Sequence, residues 1–306
     1  MRIVVHGQQA FGQRVLEALL ERDEDVIAVY GAPEKEGQRL DPLKEAALAH
    51  QLSIYQPRSF RKQEVAEEFA ALKADLCVMA YVTLFVPEDV LNLPTHGTIQ
   101  YHPSLLPRHR GPSSINWPII WGESKTGLTI FWPDNGLDTG PILLQKEVEI
   151  QDTDTLGSLY FNQLFPVGVE ALLEAVDLVR NGSAPKIPQN EAQFTYESWC
   201  KREDVEIDWN KPVNEVWNLI RGADPQPGAW STYQGQVIQI YDGFKITAAG
   251  PDTPGVVTAI EDDRFTVAAQ GGRIEIQRVR PAGKQKVGAA EFVADVGLCI
   301  GSQFGA

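Results

Sequence analysis

The 306 residues are 43% hydrophobic and carry a formal charge of -14, from 41 Asp plus Glu against 27 Lys plus Arg. Such a chain exceeds the size at which one core tends to divide, so two domains are expected, and its negative balance disfavours nucleic acid as a partner. The cysteines Cys77, Cys200 and Cys299 lack metal-ligand spacing and are too few for a disulfide framework; no metal is expected. No segment approaches the ~18 uninterrupted apolar residues of a membrane helix, and the apolar run in MRIVVHGQQAFG is too short for a signal peptide. A cytoplasmic protein with no membrane partner is expected.

In chain order, RIVV (2–5) reads as a buried strand, the stretch from Phe11 to Glu21 as an amphipathic helix, and DVIAVYG (25–31) as a second strand. This βαβ unit predicts an α/β domain with a parallel-rich sheet. A helix over 42–50, a strand at 52–57, a helix over 62–73 and the strand DLCVMAYV (75–82) follow, and GTIQYHP (97–103) reads as the next strand. Beyond it come a short helix in 113–122, a strand at 126–132, the turn DNGLDTG (134–140), a strand at 141–150 and one long helix from Thr153 to about Arg180.

From about residue 183 the texture changes to Pro, Gly, Ser and Asn without a period, which predicts a linker over 183–204 between a domain at 1–182 and another at 205–306. After a short helix at 212–221, the runs QVIQIY, FKITAAG, GVVTAIE, RFTVAAQ and RIEIQRVR alternate apolar and polar residues. Alternation broken by Gly, Asp and Pro predicts a small antiparallel OB-like β-barrel.

The chemistry concentrates around YHPSLLPRHRG (101–111), just past a strand end, where open α/β folds gather ligands. Its two prolines bar regular structure, so the loop is stiff. Gln100 and His102 alternate onto one face of their strand, and Asp138 follows the next strand. Were the strand ends adjacent, Asp138 could orient or charge-stabilise the imidazole while the amide N–H holds an oxyanion, a kit for acyl transfer. The spacing is equally compatible with His102 capping a strand, Asp138 closing an Asx turn and Gln100 packing. Ser104 lacks a GxSxG setting, and Cys77 lies in an apolar strand, so neither reads as a nucleophile. GQQAFG lacks both the GxGxxG and P-loop patterns and reads as a packing turn.

The strings YHPSLLPRHRG, IFWPDNGLDTG (130–140) and PGAW (227–230) resemble the formyltransferase family that uses 10-formyltetrahydrofolate. SINW (114–117), LLQKE (143–147), TYE (195–197) and IRGAD (220–224) are similar in particular to the N-terminal hydrolase domain of 10-formyltetrahydrofolate dehydrogenase. The resemblance implies a Rossmann-like catalytic domain followed by an OB-like one, 10-formyltetrahydrofolate as formyl donor, and hydrolysis or transfer of its formyl group. It implies catalytic roles for His102 and Asp138, with Gln100 at the family's asparagine position, and a folate pocket lined by Leu84, Phe85, Val86 and Asp138. Arg108 and Arg110 form with His109 a positive patch that could hold an anionic part of a substrate or be simply solvated, the stiff loop favouring binding. In the tRNA-acting members a basic loop follows the second strand; the corresponding GAPEKEGQRLDP (31–42) has Lys35 and Arg39 against Glu34, Glu36 and Asp41, so no tRNA grip is expected. Formyl transfer to methionyl-tRNA or to a small amine, and a non-catalytic folate-binding module, remain the alternatives to hydrolysis.

Overall fold

A computed structural model describes residues 1–34, 37, 39–247, 250 and 252–305. The elements of its first part run β1 (Arg2–Gly7), α1 (Gln9–Glu21), β2 (Asp25–Gly31), α2 (Pro42–Ala49), β3 (Ser53–Tyr55), α3 (Gln63–Ala71), β4 (Leu76–Ala80), α4 (Glu88–Leu91), β5 (Thr98–His102), α5 (Asn116–Ile120), β6 (Lys125–Phe131) and β7 (Ile142–Glu149). The strands form one sheet in the order β3-β2-β1-β4-β5-β6-β7. β1 to β5 are parallel, and β6 runs antiparallel to β5.

The inner strands β1, β2, β4, β5 and β6 are buried on both faces. Val5, Val78, Ile99 and Tyr101 belong to one core with Phe11 and Leu16 of α1, whereas Val4, Tyr30, Cys77 and Met79 belong to another with Val65 and Phe69 of α3. Helices on both sides of a mainly parallel sheet make the Rossmann-like layering expected from the βαβ order. The chain passes from β1 outward to β2 and β3, then returns to β4 on the other side of β1, so the strand order reverses between β1 and β4. Their carboxyl ends, Gly7 and Ala80, border the crevice such a switch point creates. Gly7 is there for proximity, since a Cβ on it would lie 2.3 Å from the Ala80 carbonyl oxygen. The packing reading of GQQAFG rests on that approach. Asp41 starts α2 by accepting from the Leu43 N–H at 2.9 Å, with Pro42 at the first helical position.

The long helix expected from Thr153 is three pieces: α6 (Leu156–Leu159), a π-helical turn (Tyr160–Leu164) and α7 (Phe165–Arg180). A capping box between Thr155 and Ser158 starts the run. Pro166 then has no N–H for the carbonyl one turn earlier, and the hydrogen-bond ladder is re-spaced beside it.

The chain resolves into two compact units, one of residues 1–111, 127–148 and 162–196, the other of 112–126, 149–161 and 197–306. The second carries α8 (Val213–Gly222), β8 (Trp230–Tyr233), β9 (Gln236–Thr247), β10 (Val257–Ile260), β11 (Phe265–Ala269), β12 (Gly272–Pro281), β13 (Val287–Gly288) and α9 (Ala289–Val296). Its antiparallel sheet runs β10-β11-β12-β9-β8, with β13 paired to β12. The run QVIQIY and the first four residues of FKITAAG, expected as two strands, make the single strand β9, while Ala248 and Ala249 lie outside the described residues: a Cβ at Gly243 would lie 2.0 Å from the Glu275 carbonyl oxygen, so glycine lets β12 keep pairing past that point. Helix α9 has no counterpart in the sequence reading. The tail ties the two edge strands together, Val257 N–H donating to Ser302 O at 2.8 Å and Gly305 N–H to Thr232 O at 2.9 Å. The strings SINW, IRGAD and PGAW build this unit. Asn116 Nδ2 donates to the carbonyls of Gly222 (2.9 Å) and Gln226 (3.0 Å), and Gly228 has φ 88°.

His6, on β1, is buried against the rings of Phe60 and Tyr30, at centroid distances of 4.9 and 6.2 Å. Burial pushes its imidazole down to about 3. The unfolded chain therefore binds a proton below its ordinary 6.5 that the folded chain refuses, and stability falls as pH drops from 6.5 towards 3. The slope from this group is at most about 1.4 kcal/mol per pH unit. In urea unfolding at pH 7 and pH 4.5, His6→Leu is expected to lose clearly less stability on acidification than the parent; equal losses would show that His6 does not carry the slope.

Candidate active site

β5 sets the first two site positions by its pleat. Ile99 and Tyr101 point into the α1 core, so Gln100 and His102 take the opposite face, with Met79 of β4 beside Gln100 and Thr129 of β6 beside His102. Gln100 is half-buried, and His102 is buried with 6% of its surface exposed. Among the described residues the Gln100 carboxamide has no hydrogen-bond partner, so its N–H donors are open to a ligand.

The His102 ring is held by a hydrogen bond at one nitrogen and faces a carboxylate with the other. Nε2 lies 2.8 Å from the His109 carbonyl oxygen, which can only accept, so Nε2 carries the hydrogen. Nδ1 is then the lone-pair atom of the neutral ring, and it faces Asp138 Oδ2 at 3.7 Å. Asp138 is itself buried, and the same oxygen accepts from the Gly111 N–H at 2.9 Å. A neutral imidazole can thus take a proton at Nδ1, where a carboxylate stabilises the resulting cation.

The turn bearing Asp138 explains its glycines. Asp134, rather than Asp138, closes the Asx turn, accepting from the Gly136 N–H at 2.9 Å and from Thr139 Oγ1 at 2.6 Å. A Cβ at Gly140 would lie 1.8 Å from the Trp132 carbonyl oxygen. Asp138 takes left-handed backbone at φ 56°, sparsely populated for any residue with a Cβ and easiest for Asp and Asn.

Buried hydroxyls shape the loop between His102 and Gly111. Ser104 is fully buried and donates to the Arg108 carbonyl at 2.7 Å, so its hydroxyl hydrogen is engaged by the backbone. Thr129 Oγ1 donates to Ser104 O at 2.7 Å and accepts from the Leu106 N–H at 3.0 Å. Burial pushes the Cys77 thiol up to about 12, as expected of an inert core cysteine. Among the described residues no group of three His, Cys, Asp or Glu side chains is arranged to hold a metal ion.

The residues Leu84, Phe85 and Val86 do not face one place. Leu84 lines a narrow crevice with His6, Gly7, Gln8 and Tyr81, at the switch point between β1 and β4. Phe85 is 47% exposed and lines a separate open hollow of about 430 Å³ with Phe60, Arg61 and Lys62, the Arg61 guanidinium lying 5.2 Å from its ring centre. Val86 is buried in the α3-side core. Arg110 is also turned inward. Its guanidinium donates to Gln189 Oε1 (2.7 and 3.1 Å) and to both carboxylate oxygens of Glu191 (2.6 and 3.1 Å), so those donors are already engaged. Its hydrogen bonds, and secondarily its charge, hold the Glu191 carboxyl below the usual range. Lys35 and Glu36 of the 31–42 stretch lie outside the described residues, and Glu34 pairs with Lys44.

The sequence reading missed the part played by residues 187–195. They lie along both site loops: Ile187 pairs with Ile142, Thr195 Oγ1 accepts from the His109 N–H at 2.8 Å, and the Arg110 N–H donates to Thr195 O at 3.1 Å. Proline and asparagine gave this stretch a linker's composition; the string TYE was the available signal.

Residues 1–176 match the family described as Formyl transferase, and residues 200–296 match its C-terminal domain. The chain is 42% identical over 273 residues to the mitochondrial 10-formyltetrahydrofolate dehydrogenase of Mus musculus, covering 84% of this chain but only 30% of that protein. It is 35% identical to the methionyl-tRNA formyltransferase of Alkaliphilus oremlandii (strain OhILAs), with 96% of each covered. HypX from Aquifex aeolicus, solved in complex with tetrahydrofolic acid, shares the fold at 21% identity and a TM-score of 0.72, over 96% of this chain and 47% of that one. On these matches, the chain belongs to the formyl transferase family of enzymes.

Proposed function

We propose that this chain removes the formyl group of 10-formyltetrahydrofolate at Gln100, His102 and Asp138, in the cytoplasm, with water as the preferred acceptor. The observation that carries the reading is the His102 ring, with Nε2 committed to the His109 carbonyl and Nδ1 facing Asp138 Oδ2 at 3.7 Å. The name of the 42%-identical relative supports the folate donor, although this chain spans only 30% of that protein. The folate lies against Leu84 in the crevice beyond the ends of β1 and β4, where a doubly wound sheet gathers its ligands.

In the proposed reaction, Nδ1 accepts a proton from water as the water oxygen bonds to the formyl carbon. The Gln100 amide N–H donates to the oxygen that gains negative charge, and the Asp138 carboxylate stabilises the imidazolium. The C–N10 bond then breaks, Nδ1 returns the proton to N10, and tetrahydrofolate and formic acid leave. Atoms and charge balance with no metal or redox partner. Transfer to an amine is the second reading, favoured by the end-to-end match to a methionyl-tRNA formyltransferase.

The test is formate release from 10-formyltetrahydrofolate by purified protein, alone and then with small amines and with charged initiator tRNA at about 150 mM salt, where exposed charges are strongly screened. Formate without an acceptor is expected. Folate binding without turnover would leave a non-catalytic module, and efficient formyl-methionine production would assign the tRNA activity instead.

His102→Ala and Asp138→Ala are each expected to lower kcat by about a hundred- to ten-thousandfold while tetrahydrofolate still binds. Unchanged rates in both would refute the assignment.

Gln100→Asn shortens the amide arm by one methylene, a displacement of about 1 Å of the kind that can change rates on the order of a hundredfold. It is expected to shift the ratio of hydrolysis towards amine formylation; a fixed ratio would show that Gln100 does not choose the acceptor.

A further inference from the structure

We infer that Gln189, in the stretch that follows α7 within the first compact unit, is a positioning residue for the His102–Asp138 pair. The inference rests on the function proposed above. Its basis is a carboxamide with all four hydrogen-bonding positions used. Nε2 donates to the carbonyl of Asp138 at 2.8 Å and to that of Gly140 at 2.8 Å. Oε1 accepts from Arg110 Nε at 3.1 Å and Nη2 at 2.7 Å. Carbonyls can only accept and a guanidinium can only donate, so the amide has one possible orientation.

The partners lie on the two loops that make the site. Asp138 belongs to the turn after β6, and Arg110 stands between His109, whose carbonyl holds His102 Nε2, and Gly111, whose N–H holds Asp138 Oδ2. One side chain thus couples the backbone of the carboxylate to the loop that orients the imidazole. The coupling is needed because Asp138 sits in left-handed backbone at φ 56°, a conformation that surrounding contacts must maintain. Arg110 is 5% exposed, so its charge must be met by protein groups, and Gln189 and Glu191 meet it. Gln189 differs from its neighbour in reaching the carboxylate's own backbone; among the described residues Glu191 hydrogen-bonds through its side chain only to Arg110.

Gln189→Glu separates the two halves of this role. It has nearly the same shape and keeps an acceptor for Arg110, but it removes both N–H donors and sets carboxylate oxygen against the Asp138 and Gly140 carbonyls. The expected result is at least a tenfold fall in kcat with KM for 10-formyltetrahydrofolate changed less than twofold, and a displaced His102 Nδ1 resonance in the 15N spectrum of the folded variant. Glu191→Gln should lower kcat less than threefold, because it alters only the Arg110 pairing. Where Gln189→Glu does not fold, isosteric Gln189→Met is measured in its place with the same expectations. Parental kcat and an unmoved His102 resonance in the Gln189 variant would overturn the inference, as would an equal loss in Glu191→Gln. The 15N readout needs no turnover. A parent that releases no formate, with a Gln189 variant that still moves the His102 signal, would therefore overturn the proposed function and leave the positioning role standing.

Discussion

The site depends on one hydrogen bond, from Nε2 of His102 to the carbonyl of His109 at 2.8 Å. A carbonyl cannot donate, so this contact alone decides which ring nitrogen holds the hydrogen and which presents a lone pair to Asp138. It requires the chain to leave β5, turn, and return its backbone to the ring within seven residues. The return is held by hydroxyls with no access to solvent: Ser104 on the Arg108 carbonyl, and Thr129 between the Ser104 carbonyl and the Leu106 N–H. His109 adopts left-handed backbone at φ 56° to complete it. The stiffness of YHPSLLPRHRG thus serves to place a backbone acceptor.

The electrostatics follow the same economy. Asp138 is buried beside an imidazole and a backbone N–H, while the nearby Arg110 guanidinium is drawn to Gln189 and Glu191. A guanidinium paired directly with Asp138 would compete for the carboxylate that a charged imidazole needs, and diverting it leaves that carboxylate to His102. The sheet supplies the rest. β5 lies one strand beyond the β1/β4 switch point, so the crevice at Gly7 and Tyr81 opens beside the strand that carries Gln100 and His102.

The chain's most distinctive strings divide into two kinds. HPSLLPRHRG and GLDTG build the site, and the second also fixes its own turn through Asp134. SINW, IRGAD and PGAW build the other compact unit, where Asn116 bridges the carbonyls of Gly222 and Gln226. Family membership can therefore be read in part from residues that shape a fold, away from the His102–Asp138 pair.

The sequence by itself determined the order of elements through β7 apart from the short α4, the face shared by Gln100 and His102, and the family. These depend on periodicity, strand alternation and long specific strings, all local properties of the chain. It left open whether His102 and Asp138 meet, because their distance depends on how β6 returns beside β5 and on the loop that closes over both. It split β9 in two at Asp242 and Gly243, where the long-range pairing with β12 overrides a local turn signal, and it ran one helix through Pro166 where a re-spaced ladder was required. Arg110 looked available because a sequence displays a charge without its partners. Only the tertiary structure brought Glu191 and Gln189, about eighty residues later, onto that charge, since a buried guanidinium must find acceptors wherever the fold can supply them.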